Sequence, residues 1–236
     1  WVTAVVMEGK MERHLDEKLQ ELKADILGMG GLVEYAIGAS VEALKQLDRD
    51  AAEKVIRSDK AIDELELAVD EKCLDLLALY QPMAVDLRFI TMAMKIATDL
   101  ERMADLAVDI AQRVIELAGK PLLKPLVDIP QLARLTQEMT SEALDAFVNS
   151  DTRKAKKVIL SDRDADALRN RVQEELINKY IAKDSSVIPR AMPLLLIARH
   201  LERVCDHATN IAEDVIYMVE AKVVKHHQER LNAPPN

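Results

Sequence analysis

Four pairs of acidic residues are spaced so that each pair would share one face of a helix. The two carboxylates of a pair are four positions apart, which places them one helical turn from each other. The pairs are Asp59 with Asp63, Glu101 with Asp105, Asp162 with Asp166, and Glu202 with Asp206. Any single pair is equally consistent with a solvated helix face, and it costs the helix about 0.2–0.5 kcal/mol.

The chain positions of the pairs argue for more than solvated faces. Residues equidistant from the turn of an antiparallel helical hairpin face each other. Asp63 and Glu101 lie 19 residues on either side of Pro82, and Asp59 and Asp105 lie 23 residues on either side of it. In the second half of the chain, Asp166 with Glu202 and Asp162 with Asp206 are each equidistant from Asp184. We therefore predict a first acidic cluster (Asp59, Asp63, Glu101, Asp105) and a second acidic cluster (Asp162, Asp166, Glu202, Asp206).

Carboxylates gathered at one level repel each other unless positive charge lies between them. Arg102 and Arg203 directly follow the two glutamates and could supply part of that charge. A bound cation is the other solution, and an all-oxygen ligand set suits hard ions such as Mg²⁺, Ca²⁺, Mn²⁺ or Fe³⁺. Asp109 and Asn210 lie one turn further along the same faces.

Other candidate chemistry is sparse. His207 adjoins Asp206 and could join a metal site, although an ordinary boundary histidine is the favoured interpretation; His200 is a weaker candidate. The chain has no Glu-x-x-His motif of di-iron bundles, no Gly-rich phosphate loop and no clear nucleophile–base pair. Its two cysteines, Cys73 and Cys205, are 132 residues apart, which indicates reduced thiols in a cytosolic compartment.

Composition favours long helices. The 236 residues are 49% hydrophobic but only 3% aromatic, with six Gly, which suits a helical core and disfavours a β-sandwich. A net charge of −9 without a basic stripe argues against nucleic-acid binding. No window reaches the ~20 apolar residues of a membrane span, so none is expected. Residues 1–13 lack a signal-peptide pattern and are interpreted as an N-terminal extension, in part leftover upstream sequence or disordered.

The chain contains two copies of one unit. Glu101-Arg-Met-Ala-Asp105 recurs as Glu202-Arg-Val-Cys-Asp206, and two further landmarks repeat in the same order at offsets of 100 and 103 residues. Apolar residues at helical spacing, interrupted by turn residues, predict three helices per copy. The predicted boundaries are a first repeat over 14–119, a Pro-rich linker over 120–130, a second repeat over 131–227 and a frayed end over 228–236.

The third helix of each copy carries a seam of mostly small residues. Positions 90 to 114 and 191 to 215 show an unbroken three–four spacing of side chains such as Ala104 and, at the matching position, Cys205. Small side chains allow helices to approach closely, so these helices should form the centres of two bundles. The predicted fold is all-α: a tandem repeat of two three-helix bundles packed side by side, with six long antiparallel helices.

The combined motifs resemble the PhoU family. The resemblance rests on Gln81–Arg88 leading into Asp99–Asp105, on Glu202–Glu213, and on the repeat order, and it covers residues 14 to 227. It implies a cytoplasmic, non-enzymatic negative regulator of phosphate uptake and of the phosphate-starvation response. Such a protein would act as an adaptor between a phosphate ABC transporter, through its ATPase subunit, and a sensor histidine kinase, with peripheral contact to the inner membrane through these partners.

The resemblance also implies a homodimer and metal sites, since some members carry iron or zinc on Glu/Asp-x-x-x-Asp motifs. Those motifs fall on the two acidic clusters, with Asp109 and Asn210 beside them. Asp109 stands where an Asn is expected by analogy with Asn210, which makes the first site more acidic. The alternative function is a metal-binding bundle with a storage or metal-dependent enzymatic role, and a purely structural repeat is a third interpretation.

Overall fold

A computed structural model describes the backbone of residues 2–224 and the side chains of residues 14–224. The expected frayed end over 228–236 therefore lies outside the described residues, as do the side chains of the extension over 1–13. Between residues 2 and 224 the chain forms helices and turns and no strand. The predicted all-α tandem of two helical repeats is confirmed.

The first repeat consists of α1 (Val2–Gln46), α2 (Arg49–Ser58), α3 (Lys60–Tyr80) and α4 (Ala84–Leu117). A turn at Asp48 separates α1 from α2, and the Asp48 side chain accepts a hydrogen bond from the backbone N–H of Ala51 at 3.0 Å, capping α2. Gln81 adopts the left-handed conformation before Pro82 and ends α3. Gly119, at φ 78°, follows the end of α4 at the predicted end of the first repeat.

The second repeat consists of α5 (Asp128–Asn149), α6 (Thr152–Glu175), a π-helical segment (Leu176–Ile181), a short 3₁₀ turn (Ser185–Val187) and α7 (Ile188–Glu220). Helix α5 begins inside the predicted linker because Pro130 is tolerated in a first helical turn. Helix α7 ends at Glu220, earlier than predicted, where Ala221 turns left-handed.

The two repeats differ most in their second helix. In the first repeat this helix is divided at Asp59 into α2 and α3, a division that the sequence interpretation did not include. In the second repeat it runs unbroken through Asp162 and then widens into the π-helical segment. The matching acidic residues thus lie at a helix junction in one repeat and inside a helix in the other.

Helices α4 and α7 lie at the centre of the molecule, and each packs against the other helices of its own repeat as well as against its counterpart. The predicted small-residue seams form these contacts: every seam position, Ala104 and Cys205 included, is buried. One continuous core extends through both repeats. The acidic side chains of α4 and α7 therefore project from rigid, fully packed helices.

One helical segment is long and apolar enough to cross a membrane. It is His14–Gln46, and 44% of its most apolar window is buried inside the fold. The expectation that no window would qualify is therefore wrong by the criterion of length and hydropathy. Core helices of soluble proteins pass the same test, and Leu22, Ile26 and Met29 of this segment are fully buried in the protein core.

Candidate functional site

The first acidic cluster forms where α3 begins and α4 passes it. Asp59 is the residue that precedes α3, and Asp63 lies in the first turn of that helix. Burial, followed by the negative charges of Asp63 and Asp105, raises the pKa of Asp59 to about 6. The carboxylates of the two helices thus interact across the hairpin, in the register predicted from Pro82.

Glu101 occupies the same cluster and has an unexpected acidic neighbour. Burial and the nearby charge of Asp105 raise the pKa of Glu101, and Glu66 and Asp63 contribute in the same direction. Glu66 accepts a hydrogen bond from the Thr98 hydroxyl of α4 at 3.1 Å. Its place three residues after Asp63, on the same face of α3, was the sequence signal that could have identified it.

The second acidic cluster lies between α6 and α7. Burial is the main cause that raises the pKa of Asp206 to about 6, and the charges of Glu202, Asp162 and Asp166 add to it. Burial, Asp166 and Glu202 also raise the pKa of Asp162. Because the two clusters occupy corresponding positions of the repeats, the duplicated sequence motif corresponds to a duplicated electrostatic feature.

One arginine approaches each cluster. Arg102 lies 3.4 Å from a Glu101 oxygen and 3.6 Å from an Asp105 oxygen, as expected. At the second cluster the cation is Arg169 of α6, whose Nη2 lies 3.1 Å from Glu202 and 3.4 Å from Asp166. Arg203, the residue expected in this role, forms no ion pair within the described part of the chain. The spacing of Arg169 three residues after Asp166 was the available signal.

Asp109 and Asn210 lie at the boundary between the repeats. Asp109 is 3.7 Å from Nδ1 of His200, and Asn210 donates a hydrogen bond of 3.4 Å to Asp99. These two contacts are related by the repeat, since Asp99 corresponds to His200 and Asp109 to Asn210 at an offset of 101 residues. Burial lowers the pKa of His200.

His207 joins the same boundary. Its Nδ1 lies 2.7 Å from the carboxylate of Asp99, across the contact between α7 and α4. His207 and Asp99 therefore link the two repeats.

The acidic clusters fit a hard cation by chemistry. Their donors are carboxylate oxygens whose protonation is favoured by mutual repulsion, and a cation relieves the same repulsion. No set of three or more His, Cys, Asp or Glu side chains converges on a metal position among residues 14–224. Arg102 and Arg169 supply the positive charge in this arrangement, and their displacement would free the carboxylates.

The two thiols are placed as core groups. Burial raises the pKa of Cys73 and of Cys205 to about 12. The Cys205 sulfur lies 3.3 Å from the Thr136 hydroxyl and is fully buried. Thiolates are the reactive form of cysteine, so neither residue is suited to nucleophilic chemistry at neutral pH.

The fold and the duplicated acidic pairs define a class of tandem three-helix-repeat proteins. The PhoU domain model matches the chain twice, over residues 26–114 and 129–215. The chain belongs to the PhoU family.

Relatives from distant bacteria match nearly the whole chain. The phosphate-specific transport system accessory protein PhoU homolog of Aquifex aeolicus is 43% identical over 212 residues, covering 90% of this chain and 96% of the relative. The Escherichia coli accessory protein PhoU is 32% identical, covering 89% and 86%.

Solved structures share the fold. The crystal structure of PhoU from Pseudomonas aeruginosa superposes with a TM-score of 0.84 at 36% identity, covering 88% of this chain and 99% of that one. The phosphate transport system regulatory protein PhoU from Streptococcus pneumoniae gives a TM-score of 0.83 at 33% identity, covering 89% and 99%.

Proposed function

We propose that this protein is a cytoplasmic regulator of phosphate uptake. The observation that carries the proposal is the match of both repeats, over nearly the full length, to proteins named as accessory or regulatory components of phosphate transport systems.

In the finer form of the proposal the protein is a non-enzymatic adaptor. It connects the ATPase subunit of a phosphate ABC transporter to a sensor histidine kinase, reaches the inner membrane through these partners, and acts as a homodimer. Exposed apolar side chains on α3 support a role in protein contacts, since Leu67, Leu74 and Leu79 are 67%, 58% and 72% exposed. The inert thiols support the absence of turnover.

Deletion of the gene tests the regulatory role. Cells that lack the protein should express phosphate-starvation genes in rich phosphate, and the intact gene should restore repression. A phosphatase assay on the purified protein should show no turnover. Normal repression in the deletion strain would contradict the proposal.

We further propose that the acidic clusters bind iron, zinc or another divalent cation such as Mg²⁺, Mn²⁺ or Ca²⁺. The first acidic cluster should bind the cation more tightly. Glu66 adds a carboxylate to it, whereas Arg169 occupies the second cluster between Asp166 and Glu202.

The alternative role in metal storage or metal-dependent catalysis uses the same carboxylates. It is disfavoured because the chain has neither a Glu-x-x-His motif nor a clear nucleophile.

Thermal melting with and without cations tests the metal proposal. A cation that binds only the folded state raises the Tm according to its concentration and Kd. The rise should shrink strongly in Glu101→Gln/Asp105→Asn and less in Glu202→Gln/Asp206→Asn. The control is Asp164→Asn, an exposed residue of α6 that lies outside both clusters. Elemental analysis of protein purified without chelator or affinity metal identifies the ion, and equal shifts in all variants would place the ligands elsewhere.

A further inference from the structure

A cavity of about 620 Å³ lies where α6, the π-helical segment and α7 meet. Three arginines line it: Arg169 from α6, and Arg199 with Arg203 from successive turns of α7. Guanidinium groups present planar arrays of N–H donors that match the oxygens of a phosphate group. The arrangement therefore provides several donors for one multiply charged anion.

The residues that line the cavity carry a net positive charge, although the cavity shares Glu202 and Asp206 with the second acidic cluster. Two carboxylates, Glu202 and Asp206, also line it, but Arg169 pairs with Glu202 at 3.1 Å. Arg199 and Arg203 are exposed and form no ion pair or hydrogen bond with the residues that the structure describes. One carboxylate thus faces two arginines whose donors are available to a ligand.

One wall of the cavity is apolar. It is formed by Ile177 of the π-helical segment and by Leu195 and Leu196 of α7. Ile177 is 40% exposed, and both leucines are partly exposed. π-Helical turns occur frequently at functional sites, and cavities of roughly 300–1,000 Å³ are typical for organic ligands. The wall can hold the organic part of a ligand whose charged part reaches the arginines.

Two of the three arginines are specific to the second repeat, whereas Arg203 matches Arg102 of the first repeat. At the offsets of 103 and 101 residues, the counterparts of Arg169 and Arg199 are Glu66 and Thr98, which form a hydrogen bond with each other. The first repeat packs with this polar pair, so the fold does not require arginines at these positions. Their presence together on one cavity calls for another reason.

We propose that this cavity binds a phosphorylated organic molecule of nucleotide size. The free guanidinium groups of Arg199 and Arg203 would hold the phosphates, and the apolar wall would contact the organic part. The proposal does not depend on the regulatory role, because it concerns direct binding by the isolated protein.

Isothermal titration of the full chain in EDTA tests the proposal, with ADP, inorganic phosphate and adenosine as separate probes. We expect saturable 1:1 binding of ADP, and binding of phosphate or adenosine at least tenfold weaker. Arg199→Ala and Arg203→Ala should each weaken ADP binding about tenfold, as expected for loss of a hydrogen bond to a charged group. Arg153→Ala is the matched control, since this arginine is 93% exposed at the start of α6 and away from the cavity.

Three results would overturn the proposal. The first is the absence of ADP binding at millimolar concentration. The second is ADP binding that is unchanged in both Arg199→Ala and Arg203→Ala. The third is phosphate binding as tight as ADP binding, which would leave the apolar wall without a role. The variant Leu196→Ser tests the wall directly: it should weaken ADP binding and leave phosphate binding unchanged.

Discussion

Carboxylates from neighbouring helices interact with each other in both acidic clusters. Asp59 of the first acidic cluster and Asp206 of the second each have a pKa of about 6. Burial is the first cause for both, and like charge is the second. Folding therefore favours their protonated form, in contrast to surface carboxylates, which folding usually leaves charged.

The raised pKa values predict a stability change with pH. A carboxyl whose pKa rises from 3.8 to about 6 on folding contributes stability that is fully present below 3.8 and is lost as the pH rises through 6. In EDTA, the Tm should therefore increase at these sites when the pH falls from 7 toward 5. Asp59→Asn should raise the Tm at pH 7 and reduce this dependence, as followed by circular dichroism.

The control for this prediction is Asp164→Asn, which removes an exposed carboxylate of α6. It should leave the pH dependence of the Tm between pH 7 and pH 5 as in the parent protein. If the Tm changes between pH 7 and pH 5 by the same amount in the parent protein and in Asp59→Asn, ionised Asp59 does not destabilise the folded state.

The sequence predicted these carboxylates because their spacing encodes which helix face they occupy. It did not predict Glu66 and Arg169, although both follow a cluster residue at a spacing of three. Their roles depend on which side chain of the neighbouring helix is within reach, Thr98 in one repeat and Glu202 in the other. Such pairing across helices is fixed by packing, and local spacing only makes it possible.

At the scale of helices, small residues set how closely the elements approach. Ala104 of α4 and Cys205 of α7 are 1% and 0% exposed, at matching seam positions. Ala104→Leu and Cys205→Leu should each lower the free energy of unfolding by ~1–3 kcal/mol, because the larger side chain overpacks a close contact. Denaturant unfolding measures this, and the exposed α4 substitution Gln112→Leu should stay within ~0.5 kcal/mol of the parent. Parent-like unfolding of both seam variants would refute the seam assignment.

A second close contact joins α1 to α5 across the repeats. A Cβ atom at Gly30 would lie 2.2 Å from Cδ1 of Leu144, a side chain that is only 3% exposed and cannot swing into solvent. Gly31, the next residue of α1, has nothing within 4 Å of the same position.

Alanine at these two glycines should therefore have opposite effects. Gly31→Ala should stabilise the protein by ~0.5–1 kcal/mol through helix propensity. Gly30→Ala should have a free energy of unfolding ~1–3 kcal/mol below that of Gly31→Ala, because Leu144 must move within the packed core. Urea titration of the pair gives this difference directly, and equal stabilities would mean that α1 and α5 are separated more widely.

The helix boundaries were only partly predictable from the sequence. The seams, the turns at Asp48 and Pro82 and the end at Gly119 follow from local residue types, and all are present. The division at Asp59 and the π-helical segment after Glu175 were not predicted. Both lie in sequence with ordinary helical periodicity, so the chain's own pattern does not distinguish an interrupted or widened helix from a regular one.

At the scale of the whole molecule, the contact between α4 and α7 joins the repeats into one unit. Lys95 of α4 forms an ion pair with Asp214 of α7, which is largely buried. Phe89 stacks on Phe147 at 5.2 Å between ring centroids. The continuous core thus crosses the repeat boundary that the sequence duplication marks, and the repeats are units of sequence more than of folding.

This predicts that the second repeat does not fold cooperatively by itself. A chain of residues 128–224 would expose the apolar surface of α7 that α4 covers, remove Lys95 from the buried Asp214 and remove Phe89 from Phe147. The loss of a buried ion-pair partner and the loss of aromatic packing are each destabilising. We expect the full chain to melt in one transition by calorimetry and circular dichroism, and the 128–224 chain to lack a sharp transition. A cooperative melt of the isolated repeat near the Tm of the full chain would show instead that each repeat is an independent folding unit, and that α4 and α7 associate only after folding.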